Sequence, residues 1–182
     1  MKFLPTRLPG VVLIEPEMHG DQRGFFMETW HARKFAAAGI DATFVQDNHS
    51  RSTQGTLRGL HLQVRQPQGK LIRVVAGEIF DVAVDLRRDS PTFRRWVGFT
   101  LSAANRHQLW VPPGFAHGFC VLSAVAEIIY KCTDFYAPEH ERTLRWDDPE
   151  LAIHWPLTAD RPPILSAKDA AGITLRDLVA SL

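Results

Sequence analysis

The stretch Glu78-Ile79-Phe80-Asp81-Val82-Ala83-Val84-Asp85-Leu86 decides the class of fold. Large apolar residues occupy its even positions from 80 to 86, and two aspartates and an alanine occupy the odd positions between them. A period of two residues is typical of a β-strand, in which successive side chains point to opposite faces of a sheet. Turn-forming residues bound the stretch, with Gly77 before it and residues 87–91 after it. We therefore predict a strand here and a fold built on sheets.

Similar short segments recur on both sides of this strand, rich in β-branched and aromatic residues. The other predicted strands include residues 9–15, 25–28, 44–50, 71–75, 95–101, 106–111, 117–122 and 127–132, and a turn is predicted at residues 19–24. Short helices are predicted at residues 30–38, ended by Gly39, and at residues 175–181, capped by Thr174. Strands spaced about 8–12 residues apart favour a sandwich or barrel over βαβ units. We predict one all-β domain over residues 1–182.

The composition is that of a globular protein and argues against several classes of partner. Of 182 residues, 45% are hydrophobic and 23% are charged, and the net charge is +1. This balance gives no reason to expect a nucleic acid or an anionic membrane as partner. The sequence contains no apolar run of about 18 residues and no signal-peptide pattern, so we expect a cytoplasmic protein. Cys120 and Cys132 lie in apolar β-type segments and are expected to be buried free thiols.

A histidine beside two cationic residues is the leading candidate for chemistry. His61 follows Arg58 by three positions at the front of the long β-type region, and Lys70 lies in the same predicted hairpin. In a regular strand, residues three apart point to opposite faces. Arg58 and His61 therefore reach one pocket only if the strand is irregular at Gly59, and we predict a bulge there. These neighbours favour a functional histidine over a structural one.

The residue types around His61 suit the removal of a proton next to a carbonyl group. An imidazole has an unperturbed pKa of about 6.5, which suits a general base near neutrality. Nearby cations lower the pKa of an imidazole and stabilise the oxyanion that forms when the proton leaves. An aspartate bonded to the second ring nitrogen would fix the tautomer. The sequence leaves four candidates for this partner open, namely Asp81, Asp85, Asp134 and Asp169.

Two other interpretations stay open at this point. A metal site would need further histidines, but His49, His107 and His117 have no supporting spacing and Gln63 stands two positions after His61. We expect no metal. Tyr130 shares a predicted inward face with residues 126, 128 and 132, so it is either a core tyrosine or a proton donor.

Polar residues near the ends of the N-terminal strands suggest a pocket for a polyanionic ligand. No Walker-type loop or dinucleotide-binding glycine fingerprint is present, so side chains would have to hold the phosphates. Tyr136 and Phe26 are candidates for stacking on a base. The polar candidates are Arg23, Glu28, Gln46, Asn48, Arg58, Lys70 and His117.

Eight short motifs occur in an order that resembles the dTDP-4-dehydrorhamnose 3,5-epimerase family, from about residue 10 to residue 178. Together they are far more specific than any one of them. The motifs are GDQRGFF at 20–26, QDNHS at 46–50, LRGLH at 57–61, QGKL at 68–71, GEIFDVAVD at 77–85, VPPGFAHGF at 111–119, YKCT at 130–133 and LSAKD at 165–169.

The resemblance implies a cupin-type jelly-roll homodimer that needs no cofactor and converts dTDP-4-dehydro-6-deoxy-D-glucose to dTDP-4-dehydro-L-rhamnose. By motif, His61 is the base at C3 and C5, with Asp169 as its partner. Tyr130 is the acid on the opposite face of the sugar, and Lys70 stabilises the enolate. Tyr136 matches the residue that stacks on thymine. The other matches to substrate-contacting positions are Arg23, Glu28, Gln46, Asp47, Asn48, Arg58, His117, Glu141 and Lys168.

Two positions depart from the family pattern. Leu62 follows the histidine where an aromatic residue is frequent, and Phe135 precedes Tyr136 where a second tyrosine is common. Both bear on how the sugar turns between two epimerisations, so a mono-epimerase of a dTDP-4-keto-6-deoxy sugar is the nearest alternative. A metal-dependent cupin oxygenase and a non-catalytic nucleotide-sugar binding module are the other classes.

Overall fold

The computed structural model describes residues 1–157 and 160–181. The strands in this part of the chain are β1 (Lys2–Pro5), β2 (Val12–Glu15), β3 (Met18–Asp21), β4 (Gly24–Met27), β5 (Gln46–Thr53), β6 (Leu57–Gln63), β7 (Lys70–Ala76), β8 (Glu78–Asp85), β9 (Trp96–Ser102), β10 (Gln108–Val111), β11 (Phe115–Val121), β12 (Val125–Cys132) and β13 (Glu141–Thr143). The helices are α1 (Ala32–Ala37), α2 (Ala167–Ala170) and α3 (Leu175–Ser181), with a 3₁₀ turn at Pro138–His140.

Two antiparallel sheets form the body of the described structure. One has six strands in the order β1-β2-β10-β7-β12-β5, and the other has five in the order β13-β6-β11-β8-β9. Residues of both sheets share one buried apolar cluster, for example Ile72 and Ile128 of the first sheet with Ala83 and Phe119 of the second. Face-to-face packing of two sheets around a common core confirms the predicted all-β sandwich.

The outer faces of both sheets are also covered. Phe35 of α1 packs with Trp110 against the six-stranded sheet, and Leu178 of α3 packs with Val82 against the five-stranded sheet. Strand β8 is therefore buried on both faces, and its polar side chains lie in the interior rather than in solvent. Asp81, for example, is 0% exposed and needs a partner inside the protein.

Both predicted helices form near their predicted positions. Helix α1 ends before Gly39, whose φ of +82° is readily adopted by glycine. Thr174 caps α3, since its hydroxyl accepts a hydrogen bond from the Asp177 amide at 3.1 Å and donates one to the Asp177 carboxylate at 2.7 Å. Both cysteines are free and buried, as expected. No helix among the described residues is long and apolar enough to cross a membrane.

The predicted turn at residues 19–24 is wrong over most of its length. Strand β3 continues to Asp21 and β4 begins at Gly24, so only Gln22 and Arg23 form the turn. Gly24 has a φ of +130°, which lets the chain reverse within two residues. The short strands β1 and β13 were not predicted, because each depends on pairing with a longer neighbour.

The predicted irregularity in β6 is present at Gly59. The register of β6 with β11 shifts between the partners of His117 and Phe119, and Gly59 has a φ of +110°. A Cβ atom at this position would lie 2.6 Å from the backbone oxygen of His117, so only glycine fits. The irregularity brings Arg58 and His61 to the same pocket.

Candidate active site

A pocket of about 360 Å³ lies between the two sheets. Its walls are formed by inward-facing side chains of β5, β7 and β12 on one side and of β6 and β11 on the other. Most of the predicted site residues meet here. Those that line the pocket are Gln46, Asn48, Arg58, His61, Lys70, His117, Tyr130, Tyr136, Glu141 and Lys168.

His61 and Asp169 form a close pair at one wall. His61 Nε2 lies 2.6 Å from Asp169 Oδ1, and the His61 side chain is 25% exposed whereas Asp169 is 4% exposed. Asp169 also accepts hydrogen bonds from the Gly59 amide at 3.2 Å and from the Ser166 hydroxyl at 2.7 Å. Burial alone would raise the pKa of Asp169, but the hydrogen bonds from His61 and Ser166 outweigh it and bring the pKa to about 2.

The other three aspartates that the sequence left open have different partners. Asp81 Oδ1 lies 2.9 Å from His117 Nε2, and Asp134 accepts from the Phe135 amide at 2.8 Å. Asp85 is bound by the residues of the loop that follows β8. The groups that donate to its carboxylate are Arg87, Ser90 and Thr92. Asp169 is thus the carboxylate beside His61.

Tyr130 and Lys70 lie on the opposite wall from His61. Tyr130 is on β12 and Lys70 is on the neighbouring β7, both in the six-stranded sheet, whereas His61 is on β6 of the five-stranded sheet. Tyr130 packs against the shared core, as expected of a core tyrosine, and it also lines the pocket, as expected of a proton donor. Burial raises the pKa of Tyr130 and lowers the pKa of Lys70.

Two cationic or polar groups extend the wall next to His61. His117 on β11 is the register partner of His61 on β6 and is held by the buried Asp81. The Arg58 guanidinium donates from Nε and Nη2 to the Ser52 hydroxyl at 3.1 and 3.0 Å. Each side chain therefore has a hydrogen-bond partner within the protein, and both residues line the pocket.

The histidines considered for a metal site do not converge. His49 lies on the outer face of β5, 3.1 Å from Glu127, and His107 is 3.9 Å from Glu15. Within the described residues, no group of three histidine, cysteine, aspartate or glutamate side chains has an arrangement that could hold a metal ion.

Tyr136 and Glu141 mark the open end of the pocket. Tyr136 is 51% exposed, and its hydroxyl donates to Glu141 at 3.0 Å. Lys168 Nζ lies 2.8 Å from the same carboxylate oxygen. Burial would raise the pKa of Glu141, but the hydrogen bonds from Lys168 and Tyr136 outweigh it, so its pKa is lowered and the carboxylate is ionised.

Three glutamines hold the segment that carries Tyr136, and two of them had no predicted role. Gln46 accepts from the Tyr136 amide at 2.9 Å, Gln63 accepts from the Ala137 amide at 2.9 Å, and Gln68 donates to the Asp134 carbonyl at 2.8 Å. A role for Gln63 could have been predicted, because it lies two residues after His61 and the two side chains therefore share one face of β6. Gln68 offered no such signal.

Four predicted substrate contacts do not reach this pocket. Asp47 points to the outer face of β5, because side chains alternate along the strand, and it binds Lys131 at 3.0 Å. Its side chain therefore does not line this pocket in the described structure, and its contact with substrate stays a prediction. Arg23, Phe26 and Glu28 lie on or just after the β3–β4 hairpin, which pairs with no other strand in the described residues.

The sequence matches the family model for dTDP-4-dehydrorhamnose 3,5-epimerase over residues 5–177. The dTDP-4-dehydrorhamnose 3,5-epimerase of Pseudomonas aeruginosa is 58% identical over 178 residues, which cover 97% of each chain. A solved 3,5-epimerase from Legionella pneumophila, in complex with dTDP-4-keto-L-rhamnose, has a TM-score of 0.95 at 52% identity, covering 99% of this chain and 95% of that one.

A 3'-monoepimerase from Streptomyces bikiniensis, solved with dTDP-quinovose, is also similar, with a TM-score of 0.88 at 34% identity, covering 94% of this chain and 87% of that one. The likeness to the solved 3,5-epimerases confirms the predicted cupin-type β-sandwich. The family match extends across both walls of the pocket and the C-terminal segment that supplies Asp169. The chain therefore belongs to the dTDP-4-dehydrorhamnose 3,5-epimerase family of isomerases.

Proposed function

We propose that this protein inverts C3 and C5 of dTDP-4-dehydro-6-deoxy-D-glucose and so forms dTDP-4-dehydro-L-rhamnose. The observation that carries the proposal is the placement of His61 and Tyr130 on facing sheets with the pocket between them. A sugar ring bound there has one of these groups on each face. Inversion requires such an arrangement, because the proton leaves from one face and another proton returns to the opposite face.

One set of residues is sufficient for both centres. C3 and C5 both flank the C4 ketone, so removal of either proton gives an enolate with its charge on the same oxygen. In this proposal His61 accepts the proton through Nδ1, because Nε2 faces Asp169. Lys70 stabilises the enolate oxygen, and Tyr130 donates a proton to the other face.

The protonation states support these roles. Burial raises the pKa of Tyr130, so the phenol holds its proton near neutrality and can donate it. Asp169, with a pKa of about 2, stays ionised and stabilises the imidazolium that forms when His61 accepts a proton. The Lys70 amine lies in a poorly solvated environment, and this burial lowers its pKa. In such an environment the interaction between the amine and an oxyanion is strong.

The remaining pocket residues suit a nucleoside diphosphate. The cationic Lys168 at the open end of the pocket is available to the diphosphate oxygens, and Arg58 and His117 supply further hydrogen-bond donors beside His61. The exposed Tyr136 ring at the open end of the pocket is available to stack on the thymine. The substrate would thus extend from Tyr136 to Tyr130, with its sugar between the two sheets.

A mono-epimerase is the second candidate. The likeness to a 3'-monoepimerase favours it. Leu62, which departs from the family pattern, is buried in the apolar cluster on the outer face of the five-stranded sheet, so its side chain supports neither candidate. His61, Asp169 and Tyr130 would keep their roles, and only one carbon centre would be inverted.

Incubation with the dTDP-4-keto sugar in deuterated water separates the two candidates. We expect the wild-type protein to place deuterium from the solvent at both C3 and C5 of the product, because each centre loses a proton to His61 and regains one from Tyr130. Nuclear magnetic resonance of the product locates the label. Deuterium confined to one carbon would contradict the double epimerase and support the mono-epimerase.

We also propose that the working enzyme is a homodimer in which each pocket receives a hairpin from the other copy. The sequence predicted substrate contacts for Arg23 and Glu28 and stacking on a base for Phe26. None of the three lines the candidate active site of its own chain, and Arg23 and Phe26 instead line a separate hollow on the β3–β4 hairpin. Phe25 and Phe26 are 59% and 72% exposed. Aromatic side chains with that exposure suit contact with a second copy.

Complementation between two variants tests this arrangement. Arg23→Ala and His61→Ala chains with different affinity tags are co-expressed and purified through both tags. Each variant alone is expected to have low activity, whereas the mixed dimer regains activity, because one of its two sites combines an intact hairpin with an intact base. A mixed dimer without regained activity, or a single chain of 20.5 kDa in solution, would rule the arrangement out.

A further inference from the structure

The carboxylate of Asp169 is held from two separate segments of the chain. Its Oδ1 lies 2.6 Å from His61 Nε2 and accepts from the Gly59 amide at 3.2 Å, and both of these groups belong to β6. Its Oδ2 accepts from the Ser166 hydroxyl at 2.7 Å, and Ser166 lies just before α2. One oxygen is therefore held by β6 and the other by the segment that carries Asp169 itself.

The Ser166 hydroxyl directs both of its hydrogen bonds at Asp169. It accepts from the Asp169 amide at 3.1 Å, which caps the start of α2, and it donates to the Asp169 carboxylate. The direction of the second bond follows from charge. Asp169 has a pKa of about 2, so near neutrality its carboxylate is ionised and can only accept. The two bonds together tie the carboxylate to the backbone of its own short helix.

Hydrogen bonds are needed to orient this carboxylate. The last side-chain torsion of an aspartate is broad, so the torsion alone does not decide which way the carboxylate plane faces. The proposed function needs one orientation, because His61 Nε2 must face an acceptor if Nδ1 is to be directed at the sugar. A donor fixed on Oδ2 keeps Oδ1 in place for His61.

The same local arrangement recurs in the C-terminal segment, at a distance from the candidate active site. Thr174 precedes Asp177 by three residues, and its hydroxyl accepts from the Asp177 amide at 3.1 Å and donates to the Asp177 carboxylate at 2.7 Å. Asp177 is exposed, whereas Asp169 is buried beside His61. The two copies therefore share the helix cap and differ in the surroundings of the carboxylate.

We propose that Ser166 is a positioning residue, which acts through Asp169 to keep His61 Nε2 bonded and Nδ1 directed at the sugar. This inference rests on the proposed function, in which His61 removes both protons. Ser166 does not line the pocket between the sheets and instead lines a separate hollow together with Asp169. Its loss should therefore slow the chemical step and leave substrate binding unchanged.

Steady-state kinetics of Ser166→Ala with the dTDP-4-keto sugar test the proposal. We expect kcat to fall roughly 10- to 100-fold, the range for loss of a hydrogen bond to an ionised group, and KM to stay unchanged. Exchange of the C3 proton with deuterated water should slow by the same factor, because His61 removes that proton. Thr174→Ala is the matched control, since it removes the same two hydrogen bonds at α3 and should keep the kcat of the wild type.

Two further variants separate the orientation of Asp169 from the capping of α2. Glycine is tolerated at a helix N-cap, so Ser166→Gly keeps most of the cap but has no hydroxyl to donate. Ser166→Thr keeps both hydrogen bonds. We expect Ser166→Gly to be as slow as Ser166→Ala, and Ser166→Thr to regain most of the activity. Ser166→Ala and Thr174→Ala should both lower the Tm by about 2–4 °C through loss of a cap, so stability would not account for their different kcat values.

Several outcomes would overturn the proposal while the proposed function stands. These are a wild-type kcat in Ser166→Ala or Ser166→Gly, a Thr174→Ala protein as slow as Ser166→Ala, and a folded Ser166→Thr protein without regained activity. If Ser166→Ala does not fold, the kcat of Ser166→Gly decides the matter in the same way. A wild-type protein that exchanges neither the C3 nor the C5 proton would overturn both proposals.

Discussion

Replacing His61 with alanine is expected to lower kcat by about 10²- to 10⁴-fold, the range for loss of a general base. His61 lines the pocket with a partly exposed ring and has a fixed carboxylate partner at 2.6 Å. Because one base serves both centres in the proposed function, exchange of the C3 and C5 protons with solvent should stop together. The rate of conversion of the dTDP-4-keto sugar and the deuterium content of recovered substrate measure the two effects.

His49→Ala is the control for this variant. His49 lies on the outer face of β5, where its side chain is 55% exposed, so its removal should leave the rate near that of the wild type. A His61→Ala protein that folds normally and retains wild-type turnover would show that another group removes the protons. A cavity effect is small here, because the His61 ring borders the pocket rather than the packed core.

The second large effect is expected for Tyr130→Phe, which removes the proposed acid and keeps the ring. The ring packs against the shared core, so the variant should fold with little loss of stability. We expect formation of epimerised product to fall by about 10²- to 10³-fold, since the proposed acid for that face of the sugar is lost. Removal of the proton by His61 should continue, because the base, its carboxylate partner and Lys70 are unchanged.

Tyr136→Phe provides a contrast, since the chain has two tyrosines and both line the pocket. The Tyr136 hydroxyl bonds Glu141 at the open end of the pocket. Its loss should weaken substrate binding and therefore slow exchange and product formation to the same degree. Uncoupling of exchange from product formation is the behaviour expected of Tyr130→Phe alone.

Local patterns were sufficient to predict much of the fold. The alternation of large apolar residues with aspartate and alanine in residues 78–86 identifies a strand, because successive side chains of a β-strand point to opposite faces of the sheet. Gly59 could be predicted as irregular because two side chains three apart had to share a pocket. The turn at residues 19–24 was overestimated, since the alternation around Gly20 is too short to distinguish a hairpin from a loop.

Contacts between residues that are distant in sequence were harder to predict. Asp169 lies 108 residues after His61, and its choice over Asp81 and Asp85 depended on the family resemblance rather than on any local pattern. Asp47 was predicted as a substrate contact from the family resemblance, whereas strand alternation from Asn48 turns its side chain to the outer face of β5.

The central claim is that His61 and Tyr130 act separately on opposite faces of one sugar. Its most direct test is the deuterium content of substrate recovered after incubation of Tyr130→Phe in deuterated water, with His61→Ala measured beside it. We predict that Tyr130→Phe incorporates deuterium at C3 without inversion, as His61 exchanges the proton it removed with solvent and returns deuterium to the same face, whereas His61→Ala incorporates none. If exchange stops in Tyr130→Phe as completely as in His61→Ala, the two residues do not have separate roles and the account is contradicted.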